Sequence, residues 1–242
     1  MKQIHIKEVI EKYLFGIESD EFHRYKSWDH CFKAFGLSEK DDRLALELGF
    51  YLASWGMYRG SGGLLQKNHL IHKGAVDIIF SDKSLNLRCD EPNEVDINDI
   101  DYILALKGEL SKYYGFIRFN RGNGKTSQIS PTDTLLSKVM LGTLGCVPAY
   151  DRYFIDGLKE KGMRCYRFNT DSLLELFQFT DRNRNEIEEV QQTIRKKFQC
   201  HYPIMKIVDM YFWQIGYDYN LKVINNTQHN AGISPDQLFN IK

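Results

Sequence analysis

The stretch from Leu44 to Trp55 is apolar around almost its whole circumference when it is drawn as a helix. Such a helix has no polar face to turn to water, so it is expected at the centre of a folded core. The rest of the chain must then wrap around it. The glycine-rich stretch at 56–63 follows and predicts where this helix ends.

Apolar residues recur at helical spacing along most of the sequence. We therefore expect one all-α domain over residues 1–242, with about ten helices in two closely packed helical lobes and a cleft between them. The lobes are expected at 1–40 plus 145–242 and at 41–144. The expected helices cover 4–14, 22–35, 44–55, 64–80 (as one or two), 97–110, a segment beginning at 130–133, and roughly 151–162, 170–179, 183–199 and 202–218.

One region interrupts the helical pattern. Residues 116–130 are polar, broken by glycines and free of acids, which predicts a loop. Only the stretch 114–119 (YGFIRF) alternates in a way that favours a strand. Ser130, Pro131 and Asp133 then predict the start of the next helix, as N-cap, first-turn proline and N3 acid.

Composition excludes several classes of protein. Lys plus Arg and Asp plus Glu both total 32, so the net charge is zero, which argues against a generic nucleic-acid coat or a membrane-surface protein. The five cysteines form no C-x-x-C pair, which favours reduced thiols in a cytoplasmic protein without a zinc or iron–sulfur ligand set. No apolar run approaches the roughly 18 residues that span a bilayer, and the N-terminus has an amphipathic helical pattern rather than that of a targeting peptide.

Two histidines are candidate metal ligands. The spacing of His69 and His72 places them on one helix face, but no third ligand is obvious, and catalytic zinc usually needs three protein ligands. We expect no metal and no cofactor.

Charge is distributed unevenly along the neutral chain. The stretch 90–109 carries seven acids and one base, whereas 112–167 carries ten bases and four acids. The second stretch includes the sequence 121–127 (RGNGKTS), whose glycines and bases are typical of a phosphate-binding loop. A solvated loop that merely avoids acids has the same composition, so both interpretations stay open.

The basic stretch surrounds a short loop, 142–151 (GTLGCVPAYD), that delivers one aspartate between two helical patterns. A carboxylate fixed at such a junction can be presented to a substrate. Asp151 can equally serve as the N-cap of the following helix, and the residue type alone favours that role.

This order of elements resembles the helix-hairpin-helix-GPD superfamily of DNA glycosylases, the group that contains endonuclease III and the adenine and alkyl-base glycosylases. The signature of that family is a helical hairpin followed by a Gly/Pro-rich loop and a catalytic aspartate. Residues 137–141 resemble the second hairpin helix, and Gly145, Pro148 and Asp151 resemble the loop. Segments 186–198 and 201–217 resemble the closing helices, so the resemblance spans roughly residues 40 to 220.

The sequence departs from the family pattern in three ways. The Leu-Pro-Gly-Val-Gly type of hairpin turn is missing, so 121–125 is either a lengthened substitute or the hairpin is rebuilt at 130–131. Bifunctional members carry a lysine nucleophile where this chain has 133–135, and Lys138 lies about one turn later. None of 133–135 is lysine, so a monofunctional enzyme is expected. The cysteine cluster of iron–sulfur members is also missing.

The resemblance implies roles for individual residues. Asp151 is expected to stabilise an oxocarbenium-like state or to orient a water molecule. The target base must leave the stack and enter a pocket. Trp55, Met57 and Tyr58 are expected to bind it, although Trp55 can instead belong to the core. The expected DNA contacts are Arg59, Gln66, Arg121, Lys125 and Lys138.

Three functions remain as hypotheses. The first is a monofunctional DNA glycosylase, a hydrolase that removes a damaged or modified base from duplex DNA in repair or antiviral defence. The second is a non-enzymatic helical module that binds DNA or protein, with Asp151 as a helix cap. The third is an all-α enzyme of another class.

Overall fold

The fold is all-α, as the sequence predicts. A computed structural model describes residues 5–37, 40–59, 63–120 and 124–230. Over these residues the chain forms eleven α-helices. They are α1 (Ile6–Ser19), α2 (Lys26–Leu37), α3 (Asp42–Ser54), α4 (Lys73–Ile79), α5 (Asp82–Leu85), α6 (Ile100–Gly115), α7 (Asp133–Thr143), α8 (Arg152–Glu160), α9 (Thr170–Arg182), α10 (Arg184–Phe198) and α11 (Ile204–Asn230).

Short 3-10 turns account for part of the predicted helical segment 64–80. Leu64–Gln66 and His69–His72 form two such turns before α4 begins. A third turn, Ile97–Asp99, leads directly into α6.

The region 116–130 is not wholly a loop, so that prediction is wrong in part. Strand β1 (Arg118–Asn120) pairs antiparallel with β2 (Thr126–Gln128), with Phe119 opposite Ser127. Phe119 is 6% exposed, which shows how a hairpin with a polar sequence is anchored to the core. Its ring lies so close to Gly63 that a β-carbon there would be only 2.5 Å from it, so the hairpin packs on the loop that follows α3.

Helix α3 contacts α2, α4 and α7, which places it centrally, but it is not buried on every side. Leu44, Leu48 and Leu52 are almost inaccessible, whereas Leu46 is 51% and Phe50 57% exposed. The expectation of a fully buried helix is therefore wrong for one face.

The start of α7 differs from the prediction by two residues. Thr132, not Ser130, is the N-cap, and its hydroxyl accepts a hydrogen bond from the Leu135 amide at 3.2 Å. The Asp133 carboxylate instead accepts a hydrogen bond from the Phe168 amide and pairs with Lys107 at 2.7 Å. Asp133 thus joins α7 to the α8–α9 connection and to α6.

Helices α8 and α11 approach each other more closely than side chains normally allow. A β-carbon on Gly157 would lie 1.8 Å from the Phe212 carbonyl oxygen, and one on Gly216 would lie 1.9 Å from the Tyr153 carbonyl oxygen. Glycine is required at both positions because the two backbones are in contact. This contact brings the beginning of α8 beside the apolar first half of α11.

A hydrophobic core extends from α1 to α11 and takes residues from both of the predicted lobes. None of the described helices combines the length and the apolar content that crossing a bilayer requires.

Candidate functional site

The loop that leads to Asp151 is buried and held by side chains. Every residue from Leu144 to Tyr150 is buried, so its backbone polar groups need partners inside the protein. The Ala149 amide donates to Asp209 Oδ1 at 2.9 Å, and the Tyr150 amide donates to Ser137 Oγ at 2.8 Å. The position of Asp151 is therefore fixed by the loop backbone.

Asp151 is the N-cap of α8, and both of its carboxylate oxygens are engaged. Oδ1 accepts a hydrogen bond from the Phe154 amide at 3.1 Å. Oδ2 accepts one from Lys138 Nζ at 2.8 Å. The side chain of Asp151 is 14% exposed and that of Lys138 only 3%, so this ion pair lies just beneath the surface.

Trp55 covers the lysine of this pair. Lys138 Nζ lies 4.7 Å from the centre of the Trp55 ring, within the range of a cation–π contact. Tyr25 stacks on Trp55 with ring centres 5.4 Å apart, and the Arg24 guanidinium lies 5.1 Å from the same ring. An aromatic wall with one exposed arginine therefore borders the ion pair.

A second buried ion pair lies next to the first and comes from α11. Lys206 Nζ is 3.1 Å from Asp209 Oδ2, and the two side chains are 3% and 5% exposed. Burial raises the pKa of the Asp209 carboxyl, the positive charge of Lys206 opposes this shift, and the negative charge of Asp151 adds to it. The two aspartates thus influence each other electrostatically.

Two indole groups complete the cluster, which we call the Asp151 cluster. The buried Nε1 atoms of Trp55 and Trp213 have no hydrogen-bond partner among the described residues. An unpaired buried donor is unfavourable and calls for an explanation. The side chains of the cluster nevertheless leave no space for a water molecule between them. The lining residues are Tyr51, Trp55, Lys138, Leu141, Ala149, Asp151, Lys206, Asp209 and Trp213.

The structure brings only some of the predicted site residues together. Trp55 lies in the cluster with Asp151. Met57 is half-buried against the core, and Tyr58 turns instead toward His72. Neither Met57 nor Tyr58 lines the Asp151 cluster.

The predicted DNA contacts differ in their exposure. Lys138, which was expected to reach a phosphate, is 3% exposed and its amine is paired with Asp151. Gln66 and Lys125 are exposed. Arg59 is exposed as well, and its guanidinium folds back over Gly56. Arg121 lies outside the described residues.

His72 has a different environment from the one expected of a metal ligand. Its Nε2 lies 2.7 Å from the Tyr58 hydroxyl and its Nδ1 lies 2.7 Å from the Tyr114 hydroxyl. Burial lowers the pKa of His72 to about 4, so the ring is neutral at pH 7. A neutral imidazole has one donor and one acceptor, and the two hydroxyls satisfy both.

Sequence reasoning missed the contribution of α11. Lys206 and Asp209 interrupt an otherwise apolar stretch with i, i+3 spacing. Lysine and aspartate are almost never buried unless they are paired, so this spacing was the available signal.

Comparison of the chain with protein-family models, with curated proteins and with solved structures gives no match. The fold and the Asp151 cluster therefore have to be interpreted from their own chemistry.

Proposed function

We propose that this protein is a DNA glycosylase-like hydrolase that removes a modified base from duplex DNA, with Asp151 as its catalytic carboxylate. The observation that carries the proposal is the placement of this acid. It stands at the start of α8, at the end of a rigid buried loop, beside Trp55 and under the partial cover of Lys138.

The chemistry requires a carboxylate close to the sugar carbon, where positive charge develops as the base departs. The cap bond of Oδ1 to the Phe154 amide sets the orientation of the carboxyl group. Oδ2, whose partner is a flexible lysine, is the oxygen available to the sugar once Lys138 moves aside.

A flipped nucleotide needs space that the closed cluster does not contain. Trp55 and Lys138 must therefore separate when substrate binds. Opening of this kind exposes the indole N–H of Trp55, which then has a base edge or a phosphate as its partner. The unpaired indole donors support a site that is completed by its ligand.

The proposal favours a monofunctional enzyme. Lys138 lies about one turn beyond 133–135, where bifunctional glycosylases of the family that the sequence resembles carry their lysine nucleophile, and none of 133–135 is lysine. Borohydride trapping measures this directly, and we expect no covalent complex between the wild-type protein and DNA. A trapped complex that the Lys138→Met substitution abolishes would instead assign Lys138 as a nucleophile.

The test uses duplex oligonucleotides that carry alkylated, oxidised, deaminated or hydroxymethylated bases, with alkaline strand cleavage as the readout. We expect Asp151→Asn to abolish base release while DNA affinity stays within about twofold, since asparagine also caps helices. Asp41→Asn is the matched control because Asp41 is the exposed N-cap of α3. If the wild-type protein releases none of these bases, the proposed glycosylase activity is refuted.

The second candidate is a helical module that binds DNA without chemistry. The engagement of both Asp151 oxygens and the absence of water-sized space in the cluster favour it. A salt-sensitive shift of DNA without base release is the result expected of this module. No DNA binding at low salt would exclude both candidates.

A further inference from the structure

A cavity of about 590 Å³ lies apart from the Asp151 cluster. It is bounded by α2, by the end of α10 and by the segment that leads into α11. It shares no lining residue with the cluster. Its volume falls in the range of sites that bind small molecules.

The walls of this cavity are largely apolar and include one fixed cation. Ile17, Phe32 and Phe198 contribute apolar surface. The Arg88 guanidinium lies 4.2 Å from the centre of the Phe32 ring and donates to the carbonyl oxygens of Phe32 and Thr143. Arg88 is therefore held rigidly, and its charge is balanced by Asp90.

Two further cations of α2 line the cavity. Lys33 is exposed and makes no ion pair within the part of the chain that the structure describes. Among the described residues, the ammonium group of Lys26 donates to the Glu21 carbonyl at 2.9 Å and makes no ion pair. The lining also includes the acids Asp29 and Asp90, so its Lys and Arg residues outnumber its acids by three to two. Asp29 is largely buried, whereas Lys33 is exposed and open to a ligand.

The end of α10 forms one edge of the cavity. Gln199 lines it and is the C-cap of α10, with φ of 51° and its amide donating to the Arg195 carbonyl. A left-handed residue is a common way to end a helix, so this geometry fixes the edge of the cavity and is not itself a sign of function.

We propose that this cavity binds a small organic anion with a flat apolar body. Its carboxylate or phosphate pairs with Lys26 and Lys33, and its body packs against Phe32 and Phe198. This binding is independent of the proposed base excision.

The first experiment titrates the protein with 8-anilinonaphthalene-1-sulfonate, an aromatic anion whose fluorescence rises on binding. We expect saturable binding by the wild-type protein and about tenfold weaker binding by Lys33→Glu, because one attraction becomes a repulsion. Lys83→Glu is the matched control, since Lys83 is exposed and does not line the cavity.

Competition then separates the two sources of such an anion. Displacement of the probe by indole-3-acetate indicates an aromatic carboxylate, and displacement by guanosine monophosphate indicates a nucleotide. The proposal is overturned if saturable binding is missing below roughly 1 mM, if both lysine variants bind equally, or if neither anion displaces the probe.

Alkylation of Cys200 provides a second measurement that does not depend on the probe. Cys200 lines the cavity, and burial raises the pKa of its thiol to about 11, so labelling is done at a pH of about 9. A Cys165→Ser background removes the other cysteine that is not fully buried. The anion that displaces the probe is expected to slow Cys200 labelling severalfold in this background and to have no effect with Lys33→Glu added. An unchanged labelling rate in the Lys33-containing protein contradicts binding in this cavity.

Discussion

The two partners of the Lys138–Asp151 ion pair differ in burial, so removing either one should cost a different amount of stability. Asp151→Asn keeps the helix cap but leaves the ammonium of Lys138, 3% exposed, without its direct ion-pair partner, and the more distant Asp209 is already paired with Lys206. Breaking a buried pair in this way costs about 3 kcal/mol or more. Lys138→Met leaves a carboxylate that is 14% exposed and still bonded to the Phe154 amide, so we expect a cost of about 1–2 kcal/mol.

The double variant, Asp151→Asn with Lys138→Met, removes both charges. Its free energy of unfolding should be lower than that of the wild-type protein by no more than that of Lys138→Met alone, about 1–2 kcal/mol. The coupling energy of the cycle is then about 3 kcal/mol. The methionine side chain supports this estimate because it can pack against the Trp55 ring that Lys138 now contacts.

The measurement is urea denaturation of the four proteins, followed by far-UV circular dichroism and by tryptophan fluorescence. Coincident transitions are required before a single free energy of unfolding is assigned. The control cycle uses Lys12 and Asp218, an ion pair at 3.1 Å with side chains 66% and 31% exposed, for which we expect a coupling below about 1 kcal/mol. Equal coupling energies in the two cycles, or a larger cost for Lys138→Met than for Asp151→Asn, would refute the reasoning from burial.

Three further predictions concern other parts of the molecule. The free energy of unfolding should fall by about 3 kcal/mol as the pH drops from 6.5 to 4, because His72 is protonated near pH 6.5 in the unfolded state but only near pH 4 in the folded state. Urea denaturation of the wild-type protein and of His72→Gln across this pH range measures the effect, and the variant should lose less stability. Gly157→Ala should destabilise the protein by about 3 kcal/mol or more in thermal or urea denaturation because its methyl group meets the Phe212 carbonyl, whereas Gly108→Ala, with nothing within 4 Å, should be neutral or stabilising. Lys125→Gln should weaken DNA binding and reduce the salt slope by about one in a titration at several salt concentrations, and an unchanged slope would clear Lys125 of a phosphate contact.

The helical fold could be predicted because it depends on apolar periodicity, which is local. Helices α8, α9 and α10 lie within a few residues of their predicted bounds. The start of α7 was harder to predict, because long-range contacts decide which polar side chain takes its N-cap. Asp133 bonds across to the Phe168 amide, so it is not available for the capping role that the sequence predicts.

The hairpin at 118–128 was harder to predict from the sequence, again because a long-range contact is involved. Its residues are mostly polar, and pairing of the strands depends on Phe119 packing beside Gly63, which is distant in sequence. The length of α11 was underestimated because its apolar pattern fades after Tyr217, although the helix continues.

Some residues of the candidate site could be located from local sequence patterns, and others depend on tertiary packing. Asp151 could be located because glycine and proline mark its loop and its capping role is local. The burial of Lys138 could be anticipated only from its neighbours, since Leu135, Leu136 and Val139 are all apolar. The pairing of α7 with α8, and the approach of α11, depend on packing that no local pattern encodes.

The capping and catalytic interpretations of Asp151 are compatible, because the cap uses one carboxylate oxygen and the other is bonded to a side chain rather than to the backbone. What a cap alone does not explain is the surrounding chemistry. Buried ion pairs contribute little net stability, and apolar side chains of similar volume often serve a core equally well or better. Two lysine–aspartate pairs, Lys138–Asp151 and Lys206–Asp209, nevertheless lie in one small region beside two indole donors that have no partner among the described residues. Stability alone does not account for such a cluster, whereas the proposed site, which presents one carboxylate and opens for a ligand, does. For this reason the Asp151 cluster is the first place to test for chemistry.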